Sequence, residues 1–560
     1  MRLFIHQNTR GLEHWEIVVN TVTYCFYAFL LLELLRRIIP FVFFNRNGFF
    51  STVKKFMFRT VRRIPFVRDK IQSSVDLAID ELRASTFDMK GQECMKRLPK
   101  SGLTVERMKE EVKNYKTLSD VDYSAGKVSG VVYAADSDLD TLMTDVYREF
   151  TWTNPLHSDV FPGIRKMEAE VVQMVANMFE GDADVCGTMT SGGTESILMA
   201  CKTYRDIGRE RGIAVPEIVA PFSVHPAFDK AAHYLGMKIR HIPVDEEGRG
   251  SVKAMKRAIN KNTIVIVGSV PSYPHGCIDP IEDFSKLALK YKKFLHVDAC
   301  LGGFLVAFMG KAGYSVPPYN FTLPGVTSMS CDTHKYGYTP KGSSVVLYRN
   351  KNIRKYQYFC FPDWSGGIYA SASMPGSRSG NTIATTWAAL MYHGEKGYVD
   401  HTRRVIETTR AMTRGLEKIP GLKIMAPVDV SVIAFTSDDF DVFLLSAQLT
   451  EMKWHLTTLQ FPSGIHIAVT MQHTKPGVAD QFINDVKSIA KQLMKNPGQK
   501  AEGKAALYGT SQQIPDRSII SEICTGFLDT YYDCDAGVKK GGVAAAKRAS
   551  PAHEQKRVKT

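Results

Sequence analysis

Between residues 123 and 397, short apolar segments alternate with amphipathic ones. The apolar segments are rich in β-branched residues and predict strands at 217–220, 264–270, 294–297 and 343–348. The amphipathic segments have helical spacing and predict helices at 168–179, 196–207, 227–235 and 281–291. Strands that alternate with helices form a mostly parallel sheet, with ligand sites at the carboxyl ends of the strands. Residues 121–397 are therefore predicted to form a large α/β domain that binds a ligand.

The rest of the chain divides into shorter regions. Residues 398–495 combine helical segments with apolar segments at 431–435 and 465–470, which predicts a smaller α+β domain. Residues 45–120 are predicted to be a basic juxtamembrane and largely helical segment. Residues 496–560 are predicted to be a linker and C-terminal extension, with a basic, disordered tail from about residue 536.

The excess positive charge is concentrated in two stretches of the chain. The 560 residues carry a formal charge of +14. Residues 36–70 hold ten Lys and Arg against one Asp, and residues 536–560 hold seven against one Glu, so the remainder is nearly neutral. A neutral body argues against nucleic-acid binding. The ten cysteines are scattered without a CxxC pair, which is typical of proteins with reduced thiols that face the cytosol.

The N-terminal region contains a candidate membrane segment. Residues 17–32 lack charges, and Arg36 and Arg37 precede a second apolar stretch that ends at residue 44. This first stretch is short for a span of about 20 residues, but the arginines can extend their charges to the interface. Residues 17–44 are predicted to be a signal-anchor helix, with residues 1–16 in the lumen and the body in the cytosol. An interfacial helix is the alternative, whereas the absence of a small-residue cleavage site disfavours a cleaved signal peptide.

Lys335 lies in the turn 332–342, between apolar segments at 325–329 and 343–348. An ammonium group is unusual between buried strands, and desolvation lowers the pKa of a lysine. The neutral amine is a nucleophile for a carbonyl group. We therefore expect Lys335 to lose its charge and to form a Schiff base with the aldehyde of pyridoxal 5'-phosphate.

Three further features predict binding groups for the same cofactor. Residues 188–196 place hydroxyls and glycines at the start of a helix, where an anion is stabilised, and the candidate phosphate ligands are Ser191, Gly192, Gly193 and Thr194. Asp298 ends a buried strand and can pair with a protonated pyridine nitrogen. His225 follows another strand, and its imidazole can stack on the pyridine ring. Each feature alone has an ordinary structural explanation, but one cofactor explains all of them.

The order of these features resembles that of the fold-type I pyridoxal-phosphate enzymes, in the group that includes the glutamate and aromatic amino-acid decarboxylases. Longer segments are similar to the sphingosine-1-phosphate lyases of animals, at 154–163, 297–304, 332–342, 366–371 and 459–462. The likeness extends from the N-terminal apolar segment to about residue 530. The chain departs from the family at its extreme N-terminus, in its C-terminal tail and at 379–381, where a Pro-Gly pair is expected.

The resemblance implies an aspartate-aminotransferase-like large domain, a smaller C-terminal domain and a homodimer with active sites at the subunit interface. It implies cleavage of the C2–C3 bond of sphingosine 1-phosphate and related sphingoid-base 1-phosphates in sphingolipid degradation at the endoplasmic-reticulum membrane. The products would be a long-chain aldehyde and phosphoethanolamine, and no metal is implied. The alternatives are an amino-acid decarboxylase on the same scaffold and an inactive membrane-tethered paralogue, against which the presence of Lys335 and Asp298 argues.

The resemblance also implies roles for further residues. Either Lys335 or Tyr369 would remove the proton of the substrate C3 hydroxyl. His334 would lie beside the cofactor phosphate. His157 would bind polar groups of the cofactor or substrate, and Tyr133 would reach the substrate phosphate. Lys341 and Arg378 would supply cations for that phosphate, and the alternative for each of these residues is a solvated loop position.

Overall fold

The computed structural model describes residues 58, 60–86, 94–134, 136–501, 512, 514 and 516–534. They divide into two compact units, one within residues 121–509 and the other from parts of 1–120 and 510–560. The predicted anchor at 17–44 and the predicted tail from about residue 536 lie outside the described residues. Among the helices that are described, none has both the length and the apolar character needed to cross a membrane.

A seven-stranded sheet forms the centre of residues 121–509. Its strands are β1 Cys186–Thr190, β2 Glu217–Pro221, β3 Lys238–Ile242, β4 Thr263–Ser269, β5 Phe294–Asp298, β6 Val326–Cys331 and β7 Ser344–Tyr348. Their spatial order is β1-β7-β6-β5-β4-β2-β3. Adjacent strands from β6 to β3 are parallel, and β7 is antiparallel to both of its neighbours. The predicted mostly parallel α/β sheet is therefore confirmed.

Both faces of this sheet are buried. In β2, Ile218 and Ala220 belong to one apolar cluster and Val219 to another, because alternate side chains of a strand point to opposite faces. Helices cover these faces, as expected for a parallel sheet. The helices of this unit are Ser137–Glu149, Pro162–Met178, Gly193–Glu210, Ala227–Leu235, Val252–Ala258, Ile281–Tyr291, Gly303–Met309, Lys351–Arg354, Gly380–Glu417, Val442–Glu451 and Val478–Leu493.

Two smaller sheets follow in the chain. The strands β8 Phe359–Phe361 and β9 Tyr369–Ser371 form an antiparallel hairpin. The strands β10 Lys423–Ile424, β11 Val432–Thr436, β12 Thr457–Leu459 and β13 Gly464–Ala468 form an antiparallel sheet in the order β10-β11-β13-β12. The predicted boundary at 397/398 falls inside the helix Gly380–Glu417, shortly after a break at Gly394, where φ is 53°.

The other unit contains helices at Pro65–Thr86, Val105–Lys116 and Arg517–Thr530. The first and last of these pack together around a small apolar cluster that includes Val75, Ile519 and Ile523. Arg62 Nη2 lies 2.5 Å from Glu522 Oε2 beside this cluster. The region predicted as a C-terminal extension therefore contains a helix that packs against the N-terminal part of the chain.

Tyr336 attaches the turn of Lys335 to the antiparallel sheet. Its side chain is buried, and its hydroxyl lies 2.8 Å from Ser431 Oγ and 2.6 Å from the carbonyl oxygen of Val469. Ser431 precedes β11 and Val469 follows β13. A buried hydroxyl without hydrogen-bond partners would lower the stability of the folded protein, so these two hydrogen bonds hold the turn in one position.

Candidate active site

Lys335 lies in the connection between β6 and β7, where its Nζ atom is 2.9 Å from Asp332 Oδ2. The Lys335 side chain is 21% exposed, whereas that of Asp332 is 3% exposed. Burial opposes the charge of Lys335, but the carboxylate of Asp332, together with Cys300 and Tyr133, outweighs this effect, so the pKa of Lys335 is raised above its ordinary value. The expectation that desolvation leaves Lys335 neutral is therefore wrong for the cofactor-free chain, because an ion pair holds the ammonium form.

Asp298 ends β5 at the same edge of the sheet. Its Oδ1 atom accepts a hydrogen bond from the backbone N–H of Cys300 at 3.0 Å and lies 3.3 Å from the donor Ser330 Oγ. Asp298 is buried, and the described residues place no Lys, Arg or His within ion-pair distance of it. A buried carboxylate without a cation is costly, so Asp298 is suited to receive a cationic group from a ligand.

His225 follows β2 and is in electrostatic contact with Asp298, Asp332 and Lys335. Burial lowers the pKa of His225, although the two carboxylates oppose the shift. Its Nδ1 atom accepts a hydrogen bond from the N–H of Ala227 at 3.1 Å, which leaves the proton of a neutral imidazole on Nε2. The ring is therefore a neutral, flat group at the site.

The predicted phosphate turn approaches the turn of Lys335. The helix Gly193–Glu210 begins after Gly192 without a capping side chain, so its first N–H groups are suited to an anion. A Cβ atom on Gly193 would lie 2.8 Å from both Asp332 Oδ1 and Cys300 Sγ. Only glycine therefore permits this close approach without displacement of its neighbours.

Two other members of the predicted phosphate turn are placed differently. Ser191 donates hydrogen bonds from its N–H and Oγ to Glu195 Oε2, at 2.7 and 2.5 Å. Thr194 is exposed at the start of the helix. Their roles as phosphate ligands stay predictions.

His334, Lys341 and Tyr133 lie around the same turn. His334 Nδ1 donates to the carbonyl oxygen of Ser343 at 2.6 Å, and its Nε2 atom is 3.6 Å from Asp332 Oδ2. Lys341 Nζ lies 4.8 Å from the centroid of the Tyr133 ring. Burial, with the charge of Lys335, lowers the pKa of Lys341, and burial raises the pKa of Tyr133 to about 12.

Within a single chain, no described contact connects three of the predicted site residues to Lys335. Tyr369 lies in the hairpin β8–β9, and His157 is exposed in a turn. Arg378 forms a bidentate ion pair with Glu168, at 2.5 and 2.8 Å. The roles of these three residues stay predictions.

Asp332 and Glu195 are site residues that sequence reasoning missed. Glu195 binds Ser191 and also accepts the N–H of Met374 at 3.0 Å, so it joins the phosphate turn to the loop that carries Arg378. The signal in the sequence was an acidic residue close to a predicted site residue: Asp332 lies three positions before Lys335, and Glu195 lies four positions after Ser191. That spacing is common in turns and helix starts and does not by itself indicate a contact.

A cavity of about 240 Å³ adjoins the phosphate turn and is lined by residues that include Ser191, Glu195, Gly342 and Arg378. A larger cavity of about 380 Å³ lies near Phe304 and Tyr398, and none of the predicted site residues lines it. The site is therefore defined by its chemical groups rather than by the larger cavity. The uncapped helix start, Asp298 without a cation among the described residues, the flat His225 and the amine of Lys335 together fit pyridoxal phosphate.

Comparisons with known proteins agree with this chemistry. Residues 128–438 match the pyridoxal-dependent decarboxylase conserved domain. The chain is 47% identical to sphingosine-1-phosphate lyase 1 of Rattus norvegicus over 525 residues, which cover 93% of this chain and 91% of the relative. It is 40% identical to sphingosine-1-phosphate lyase of Saccharomyces cerevisiae, with 86% and 83% of the two chains covered. The solved structure of a Burkholderia pseudomallei sphingosine-1-phosphate lyase has a TM-score of 0.71 and 36% identity, covering 79% of this chain and 98% of that chain.

The fold and the matched domain define a pyridoxal-phosphate-dependent enzyme of the decarboxylase type. Within that class, the chain belongs to the sphingosine-1-phosphate lyase family.

We expect Lys335→Ala to lose the Schiff-base absorbance band of the loaded protein and to keep only the absorbance of free pyridoxal phosphate, because Lys335 is the amine held at this sheet edge by Asp332. Borohydride reduction of the wild-type protein, followed by peptide mapping, should place the cofactor on Lys335. Lys341→Ala is the matched control and should retain the band. Reduced cofactor on Lys341 in the wild-type protein would contradict the assignment.

Proposed function

We propose that this protein cleaves the C2–C3 bond of sphingosine 1-phosphate and related sphingoid-base 1-phosphates, releasing a long-chain aldehyde and phosphoethanolamine. One observation carries the proposal. Lys335, Asp298 and His225 lie at one sheet edge in a chain that is 47% identical to a sphingosine-1-phosphate lyase over nearly its full length.

Bound pyridoxal phosphate supplies an aldehyde that captures an amine and a ring that accepts an electron pair when the C2–C3 bond breaks. Asp298 would hold a proton on the pyridine nitrogen, because its buried carboxylate has no cation of its own among the described residues. His225 would pack its neutral ring against the pyridine. The N–H groups at the start of the helix Gly193–Glu210 would bind the cofactor phosphate.

Lys341 and Tyr133 are suited to the phosphate of the substrate. Lys341 brings a second ammonium to the site, and an anion would offset the repulsion between it and Lys335. Tyr133 keeps its proton at neutral pH, because its pKa is raised to about 12, so its hydroxyl can donate to a phosphate oxygen. The base that removes the C3 hydroxyl proton would be either Lys335 or Tyr369.

The hairpin that carries Tyr369 supports the proposal of a homodimer. It exposes apolar side chains in and beside both strands, namely Phe359, Phe361, Trp364, Ile368 and Met374. An exposed apolar patch of this kind is a surface for another protein. We propose that a second copy of the chain covers it, and that Tyr369 completes the site of that second copy.

We also propose attachment to the endoplasmic-reticulum membrane through residues 17–44, with the catalytic unit in the cytosol. The basic residues of 36–70 would face the anionic cytosolic leaflet. The proposal fits a substrate with a charged head and a long alkyl chain. After alkaline carbonate extraction the full chain should remain with membranes, and a chain that starts at residue 45 should not; equal extraction of both would contradict the anchor.

The activity is tested with the loaded protein and sphingosine 1-phosphate. We expect equal amounts of long-chain aldehyde and phosphoethanolamine, and no product from the unphosphorylated sphingoid base. Lys335→Ala is the inactive control. Release of carbon dioxide from glutamate or an aromatic amino acid, without aldehyde from the sphingoid phosphate, would establish the amino-acid decarboxylase instead.

The origin of Tyr369 is tested by refolding Lys335→Ala and Tyr369→Phe chains together. If each site takes Tyr369 from the partner copy, random pairing restores about a quarter of the wild-type activity, because half of the dimers are mixed and each has one intact site. If both residues act within one chain, mixing restores nothing. Full activity of Tyr369→Phe alone would remove Tyr369 from the catalytic residues.

A further inference from the structure

The ion pair between Asp332 and Lys335 is not explained by any role in the preceding mechanism. Asp332 Oδ2 is 2.9 Å from Lys335 Nζ. Its Oδ1 atom is buried and has no hydrogen-bond partner among the described residues. A buried carboxylate with one free oxygen is costly, and replacing a buried ion pair by apolar residues of similar size is often neutral or stabilising. A contribution to the stability of the fold therefore does not explain why an acid occupies position 332.

The surroundings of Asp332 leave Lys335 as its main charged partner. On the same turn, His334 Nε2 is 3.6 Å from Asp332 Oδ2, and burial lowers the pKa of His334. From the end of β5, the thiol of Cys300 faces the pair, and burial raises the pKa of that thiol. The other ionisable groups in electrostatic contact with both members of the pair, among the described residues, include Tyr133, His225, Cys331 and Lys341.

The phosphate turn lies on the other side of Asp332. The Cβ position of Gly193 is 2.8 Å from Asp332 Oδ1, so a phosphate at this helix start would bring negative charge close to the carboxylate. Like charges at short distance favour protonation of one of them. Arrival of the cofactor would therefore drive a proton toward Asp332.

We propose that Asp332 is the positioning residue and the proton acceptor of Lys335. In the cofactor-free protein it holds the ammonium group at the site, and it takes one proton from Lys335 as the cofactor enters. The neutral amine forms a bond to the aldehyde carbon, and its two remaining protons leave with the aldehyde oxygen as water. The proton on Asp332 is then shared with the nitrogen of the new C=N bond. This inference rests on the cofactor of the family and not on the sphingoid substrate.

The first test measures Lys335 without the cofactor. Cofactor-free wild-type protein and Asp332→Asn are labelled with acetic anhydride from about pH 6 to about pH 11, and acetylation of Lys335 is quantified by mass spectrometry. The asparagine variant lacks the anion that holds the proton, so we expect at least about tenfold faster labelling at pH 8. Asp298→Asn is the matched control, a buried acid of the same site without an ion pair to Lys335, and its labelling should change far less than that of Asp332→Asn.

The second test uses the visible absorbance of the loaded protein, titrated with acid and base. Asp332→Asn should protonate at a pH at least about one unit lower than the wild type, a tenfold change in the equilibrium. Asp332→Glu should restore part of the shift. A structural role alone would lower stability without moving either pH profile, so unchanged profiles in Asp332→Asn overturn the proposal whether or not sphingosine 1-phosphate is cleaved.

A third measurement serves if Asp332→Asn does not fold. Lys335→Ala leaves the buried carboxylate without its cation, so the folded state should take up a proton. The stability of cofactor-free Lys335→Ala, relative to wild type, should then rise as the pH falls from about 8 to about 6. A pH-independent difference would overturn the proposal.

Discussion

The register between β5 and β6 is the constraint on which the site depends. The two strands are parallel, and Asp298 pairs in register with Ser330, two residues before Asp332. Asp298, the predicted partner of the pyridine nitrogen, and the turn of Lys335 therefore lie at the same edge of the sheet. A slip of one residue would turn the side chains of one strand to the opposite face and separate Asp298 from Lys335. Such a slip is opposed on one face by the apolar cluster that contains Leu295 and Val297, and on the other by His296, whose ring nitrogens lie 2.7 Å from Ser328 Oγ and 3.1 Å from Ser330 Oγ.

This geometry gives the two buried carboxylates different partners. Asp332 has Lys335, whereas Asp298 has only N–H and O–H donors among the described residues. The cofactor has opposite needs at its two ends, a cationic ring nitrogen and an anionic phosphate. Asp298 is suited to the first need and the helix start at Gly193 to the second, as proposed above. Asp332 contacts both the Lys335 amine and the region of Gly193, so in the proposed mechanism it can exchange a proton with that amine.

The sequence predicted the elements with strong patterns and missed those without them. The helices Ala227–Leu235 and Ile281–Tyr291 have the predicted bounds. In contrast, β1 has the sequence Cys-Gly-Thr-Met-Thr, which lacks the apolar run of a buried strand. In β3 at the sheet edge, the adjacent polar residues Arg240 and His241 interrupt the alternation expected of a strand. The charge of Lys335 was mispredicted for a different reason. Burial can be inferred from sequence, but the direction of the Asp332 carboxylate depends on the folded turn.

The departure from the family at 379–381 has a physical consequence for the predicted substrate contacts. Gly380 donates its N–H to the carbonyl oxygen of Thr153 at 3.0 Å, and a side chain on Gly380 would collide with Thr153. Asn154 reinforces the contact, because its side chain accepts the N–H of Arg378 and donates to Ser377. The loop of Arg378 is thus tied to the segment that carries His157, so the two predicted residues are positioned as one unit. A substitution at Gly380 would therefore displace Thr153, the neighbour of Asn154, whose carbonyl oxygen accepts the N–H of His157 at 3.1 Å.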